Sequence, residues 1–125
     1  MSYGSIEIKE ICERTLNGIV LDIFFIVMES DGISKKEIMN VYKEHAGVKS
    51  LSSQKYRFKI DEALAILEAL LFISSDREGL YKRYYITEYG LKAKDVLRSM
   101  LDAENIQILR GSIVVKHIAM GGGTK

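Results

Sequence analysis

A chain of 125 residues with 47% hydrophobic and 28% charged content has the size and balance of one globular domain, which excludes wholesale disorder and leaves no room for two ordinary domains. The formal net charge of +1 excludes a molecule drawn to polyanions by its total charge, so any such attraction has to come from local clustering. The lone Cys12 cannot close an intrachain disulfide, and the longest apolar stretch, residues 23–28, falls far short of the roughly 20 residues of a membrane span. With acids near the N-terminus and no basic-then-apolar leader pattern, the expectation is a cytoplasmic protein with no membrane partner.

The elements follow from apolar spacing. Ile8, Ile11, Cys12, Leu16, Ile19, Val20, Ile23, Phe24 and Val27 recur three and four apart, as on one helical face. Gly18 interrupts this run at a cost of about 1 kcal/mol relative to alanine, so either the helix tolerates it or a short N-terminal piece is separate. Cys12 reads as a small core residue, and the helix is expected to end near Ser30, before the Asp31-Gly32 turn. Ser34-Lys35-Lys36-Glu37 fits a capping box and opens a second helix with Ile38, Val41, Tyr42 and His45 inward and Gly47 as its stop.

After a linker over residues 48–52, a third helix starts near Ser52 or Ser53. Its apolar positions are Tyr56, Ile60, Ala63, Leu64, Leu67 and Leu71. Phe72 and Ile73 begin the first strand of a β-ribbon. The second strand covers residues 80–86, where Leu80, Tyr84 and Ile86 alternate with Tyr81, Arg83 and Tyr85. Thr87 caps a final helix with Leu91, Leu97, Met100 and Leu101 inward. The β-branched run over residues 112–118 predicts a strand, and residues 121–125 a flexible tail.

Charge is sorted along the chain. Residues 1–30 hold two cations against five acids, net minus three, whereas residues 31–60 hold seven cations against three acids, net plus four. The basic part is the two-helix unit, and within it the start of the second helix, where the helix dipole adds positive potential. On a helical wheel with Tyr56, Ile60, Leu64 and Leu67 inward, Gln54, Lys55 and Phe58 lead the outer face and Arg57 and Lys59 take the flanks. Gln54 is suited to an adenine edge and Phe58 to a thymine methyl. Asp61 and Glu62 confine the DNA-facing part to about the first two turns.

Helix, ribbon and helix in this order form the pattern of a winged helix-turn-helix. The fold class expected is mainly α with a small β-ribbon, an N-terminal helical extension, and a C-terminal helix plus a possible strand. Residues 1–120 make one domain, with its core at about 16–101 and a C-terminal extension at 102–120. The candidate DNA-binding residues are Ser53, Gln54, Lys55, Arg57, Phe58 and Lys59 on the recognition helix, at about 52–71 and in the major groove, with Lys35 and Lys36 before it. Arg77, Lys82 and Arg83 belong to the wing, at about 72–87 and on the backbone or in the minor groove. Asp76 and Glu78 weaken its tip, so a solvated turn and a phosphate contact stand level there.

The segments Leu67-Glu68-Ala69-Leu70-Leu71-Phe72-Ile73 and Tyr85-Ile86-Thr87-Glu88-Tyr89-Gly90 resemble the small winged-helix transcriptional regulators of archaea and their viruses, related in layout to the MarR and PadR-like groups. The resemblance spans about residues 16–101 and implies a sequence-specific binder of double-stranded DNA acting as a homodimer. The N-terminal extension, the 91–101 helix and the β-branched tail are the candidate dimer contacts. One departure is Leu71, which stands where the family usually has glycine. Leucine is strained in the left-handed conformation, so the helix is expected to run on or to end differently.

The alternative is a winged-helix module for protein–protein contact without DNA readout. Tyr81, Tyr84, Tyr85 and Tyr89 are read as packing residues rather than base-stacking ones. His45 and His117 are far apart and lack companion ligands, so no metal and no cofactor is expected. No phosphate-cradling glycine loop, nucleophile elbow or His-Glu metal motif is present, and no enzyme is expected.

Overall fold

The computed structural model describes residues 7–46, 53–102, 109 and 111–120, with the backbone alone for residues 46, 53–55, 102, 117, 119 and 120. The linker over residues 48–52 and the tail over 121–125 lie outside the described residues. The chain is mainly helical with a small three-stranded antiparallel sheet: α1 (Ile8–Thr15), α2 (Gly18–Met28), β1 (Ile33–Ser34), α3 (Lys35–Ala46), α4 (Ser53–Ala69), β2 (Ile73–Glu78), β3 (Tyr81–Ile86), α5 (Glu88–Asp102) and α6 (Val114–Met120). None of the described helices is long and apolar enough to cross a membrane.

The centre is α2. Its sequence GIVLDIFFIVM is apolar nearly all round, and Leu21, Asp22, Ile23, Phe24, Ile26 and Val27 are all buried. A helix without a polar face has to be covered on every side. It packs on α3, α4, β3 and α6. Gly18 is where the long apolar run breaks: α1 ends at Thr15, Gly18 starts α2 with a positive φ of 57°, and the N-terminal piece is separate. That piece packs on α5, with the Cys12 Sγ 4.0 Å from the Ala93 carbonyl oxygen. Burial, then the neighbouring Glu13 carboxylate, pushes the Cys12 thiol up to about 11, so it sits in the core as a protonated apolar group.

The capping box forms as expected. The Glu37 amide donates to the Ser34 hydroxyl at 3.2 Å, and the Ser34 amide donates to the Glu37 carboxylate at 3.0 Å. A strand that the spacing did not announce precedes it: Ile33 and Ser34 pair with Tyr84 and Arg83, giving the sheet order β1-β3-β2. Two residues are too short for an alternation signal, and only the pairing partner reveals them. Gly32, at φ 113°, lies under the Tyr85 ring, where a side chain would collide.

Helix α4 ends in a Schellman motif. The Phe72 amide donates to the Leu67 carbonyl and the Leu71 amide to the Glu68 carbonyl, each at 3.0 Å. Leu71 itself takes the left-handed conformation, with φ 66°. The helix therefore stops where a glycine would have stopped it, and the expectation that leucine would change the ending is corrected. Leu71 is also not an inward helix residue, since it is 67% exposed. The same correction applies to Leu91, which is 47% exposed, while Ala93 in α5 is buried with Leu97 and Met100.

Residues 112–118 do not form the predicted strand. Residues 114–120 form α6, whose start is capped locally, by the Ser112 hydroxyl accepting the Lys116 amide at 3.2 Å, and also from another helix. The fully buried Asp22 carboxylate accepts the Ser112 hydroxyl at 2.6 Å, the Ile113 amide at 2.7 Å and the Val115 amide at 3.0 Å. Capping of the first amides, local and from another helix, outweighs the β-branched preference of Val114 and Val115.

Two stability measurements test these assignments. Leu71→Gly removes left-handed strain of about 1–2 kcal/mol, partly offset by glycine's larger unfolded-state entropy. Urea unfolding is expected to show a gain of about 0.5–1 kcal/mol; an unchanged midpoint means that the strain is already relieved in the native chain. Asp22→Ala strands the Ile113 and Val115 amides and is expected to cost about 3 kcal/mol, with faster hydrogen exchange at the Val115 amide. Unaltered exchange there would refute the cap.

Candidate nucleic-acid interface

The capping box fixes where α3 begins, and so where Lys35 and Lys36 project. On α3, Lys36, Asn40 and Lys43 are four and three residues apart and share a face. With Lys35, Met39 and Arg57 of α4 they line an open groove of about 500 Å³ between the two helices. Lys35 is bound across it to Asp61, at 2.9 Å. Both partners of that pair are partly exposed, so it fastens α3 to α4 only weakly. Among the described ion pairs none takes Lys36, Lys43 or Arg57. Lys36, Lys43 and Arg57 give this groove a local excess of positive charge, with the Lys35–Asp61 pair beside them.

Arg57, Phe58 and Lys59 are exposed, Phe58 to 70%. Ser53, Gln54 and Lys55 lie in the first turn of α4, and their side chains are outside the described residues. Arg57, Asp61 and Glu68 fall on one flank of α4, over about 16 Å at 1.5 Å per residue. Asp61 meets Lys35 there, and the Glu68 carboxylate accepts the Ser75 hydroxyl of β2 at 2.9 Å. The start of α3 and the ribbon are thus laid along the same side of α4.

The ribbon separates its charges by its pleat. The register Ile73↔Ile86, Ser75↔Tyr84 and Arg77↔Lys82 puts Arg77 and Lys82 on the face that also carries Ser75 toward α4. Asp76 and Glu78 point to the opposite face with Arg83 and Tyr85. The acids that weaken the tip in the linear sequence are therefore on the other side of the ribbon from Arg77 and Lys82.

Arg83 has different work. Its guanidinium donates to the Gly32 carbonyl at 3.1 Å and to Glu37 at 3.4 Å, and lies 3.3 Å from Glu78. It joins β1, α3 and the ribbon, and two carboxylates offset its charge. Lys82 lies over the Tyr84 ring, 5.5 Å from its centre. Hydrogen bonds from the Ser34 amide and hydroxyl, then the Arg83 charge, hold the Glu37 carboxyl below the usual glutamate range.

Lys35, Lys36 and Arg57 are thus brought together, and Arg77 with Lys82, while Lys59 lies outside both groups. Asn40 and Lys43 were missed as candidates; their spacing from Lys36 was a legible signal. Among the described residues no three His, Cys, Asp or Glu side chains gather where they could hold a metal ion. Comparison with protein-family models, with curated proteins and with solved structures gave no match.

A carboxyl lowered in the folded state stabilises the fold above its unfolded pKa, and that contribution is lost as pH falls through the folded value. For Glu37 the loss begins near the ordinary glutamate pKa of about 4.3 and continues below it. Glu37→Gln is expected to flatten this part of the acid limb of stability against pH, measured by urea midpoints. An unchanged limb would mean that the capping box and its Arg83 contact are not formed in solution.

Proposed function

We propose that the chain is a winged helix-turn-helix protein that binds double-stranded DNA as a homodimer and regulates transcription. In this reading α3 and α4 are the helix-turn-helix, α4 is the recognition helix in the major groove, and the β2–β3 ribbon is the wing. The observation that carries it is the shared flank of α4. The groove with Lys36, Lys43 and Arg57 lies toward one end of that flank, and the ribbon face with Arg77 and Lys82 approaches the other. In a molecule of net charge +1, these two cation groups, neither with a carboxylate partner among the described ion pairs, favour a directed anionic partner over a diffuse one.

Exposed Phe58, with Gln54 and Lys55 in the first turn of α4, supplies the base-reading part of the proposal. The homodimer uses the terminal helices, where Leu91 of α5 and Ile118 of α6 expose apolar surface. Two copies related by a two-fold axis then present their α4 helices about 34 Å apart, one turn of DNA. No enzymatic activity, metal or cofactor belongs to the proposal.

Fluorescence anisotropy with a labelled duplex across a salt series tests it. The expected result is saturation at two chains per duplex and a steep fall of affinity with salt. The triple variant Lys36→Ala, Lys43→Ala, Arg57→Ala is expected to make the log–log slope shallower by about 5.4, close to 0.9 for each phosphate contact that the two chains lose. Weak binding that ignores both salt and the triple variant would sink the DNA reading and favour a protein-interaction module.

A further inference from the structure

Leu80 occupies a place where exposed turns ordinarily carry glycine or polar residues. It follows Gly79, whose positive φ of 64° sets the first position of a two-residue hairpin turn. Leu80 is 91% exposed and Tyr81 beside it 68%. The leucine side chain therefore contributes almost nothing to packing within the chain. Three residues before Leu80 and two after it, Arg77 and Lys82 face each other across the strands. Like charges directly opposite one another destabilise a sheet, and among the described ion pairs neither cation has a carboxylate. The ribbon ends in an apolar point backed by two cations on one face, neither with a carboxylate among the described ion pairs and Lys82 resting over the Tyr84 ring, a combination suited to a surface both apolar and anionic.

We propose that this tip is a wedge for duplex DNA: Leu80 enters the minor groove and partly unstacks one base step, while Arg77 and Lys82 hold phosphates at the groove edges, so that the duplex bends. The inference rests on the DNA-binding reading and adds a deformation to it. Unstacking a step needs one apolar side chain of this size, and the phosphates beside it supply the anionic partners that Arg77 and Lys82 lack among the described ion pairs. An anionic lipid surface offers the same charge. However, one leucine and one tyrosine bury less apolar surface than a single acyl chain, whose own membrane binding is marginal.

The experiment uses the full chain and an A·T-rich duplex of about 30 base pairs with central TA steps, which kink readily, labelled at its two ends with a donor and an acceptor. Anisotropy and energy transfer are read in the same titration. Saturation by the wild-type chain is expected to raise the transfer efficiency. Leu80→Ser is expected to saturate the duplex with Kd raised no more than about tenfold and without that rise, and Leu80→Phe to restore it. At 91% exposure Leu80 can be replaced without unfolding the chain. Saturable binding with no rise, or with the same rise for wild type and Leu80→Ser, overturns the wedge and leaves the DNA-binding reading standing. Absence of saturable binding by the wild type overturns both. Flotation with phosphatidylcholine–phosphatidylserine vesicles that depends on Leu80 would assign the tip to lipid and overturn the wedge.

Discussion

The junction at Thr87 holds the two halves of the chain in register. Its hydroxyl donates to the Leu71 carbonyl at 2.6 Å and accepts the Gly90 amide at 2.9 Å, while its own amide donates to the Phe72 carbonyl at 3.0 Å. One residue therefore closes the end of α4, the last pairing of the ribbon and the start of α5. Gly90 is required because any Cβ there would run into the Phe72 carbonyl oxygen and crowd Ile86. Phe72, fully buried, stacks at a tilt on Phe24 of α2 and Tyr89 of α5 with ring centres 5.7 and 5.4 Å apart. The direction in which α4 points and the angle at which the ribbon leaves the body both depend on this contact. The left-handed Leu71 is tolerated because the hydrogen bonds around it over-determine the turn.

Arg83 shows how the same sheet organises charge. By bonding the Gly32 carbonyl and two carboxylates it anchors β1 and the first turn of α3, and so orients Lys35 and Lys36. It removes its own charge from the candidate interface in doing so. Arg77 and Lys82, on the other face of the same ribbon, have no such partners among the described ion pairs. A two-residue period divides structural cations from available ones, and composition alone treats all three alike.

Asp22 performs the corresponding task for the C-terminal segment. A carboxylate inside an almost wholly apolar helix is tolerated only when its hydrogen bonds are satisfied, and Ser112, Ile113 and Val115 satisfy it. Burial, followed by the Asp22 charge and then Tyr56, pushes the neighbouring Tyr42 hydroxyl up to about 12 and keeps it neutral in the core. The buried acid thereby ties α6 to α2.

By itself the sequence determined the features that rest on local spacing. Apolar residues three and four apart marked the helices, Ser34 and Glu37 marked the start of α3, and Thr87 the start of α5, because capping and amphipathicity act over a few residues. The collection of cations in residues 31–60 was legible for the same reason. What only the tertiary structure decided involves residues far apart in the chain. Ile33 and Ser34 are a strand because Tyr84 and Arg83 pair with them. The helix at residues 114–120 has a local cap in Ser112, and its second cap comes from a carboxylate some 90 positions earlier. Arg83 is structural and Arg77 is not because the register sends them to opposite faces. A short-range pattern can specify an element, whereas the partner that satisfies a buried charge or completes a sheet is chosen by packing.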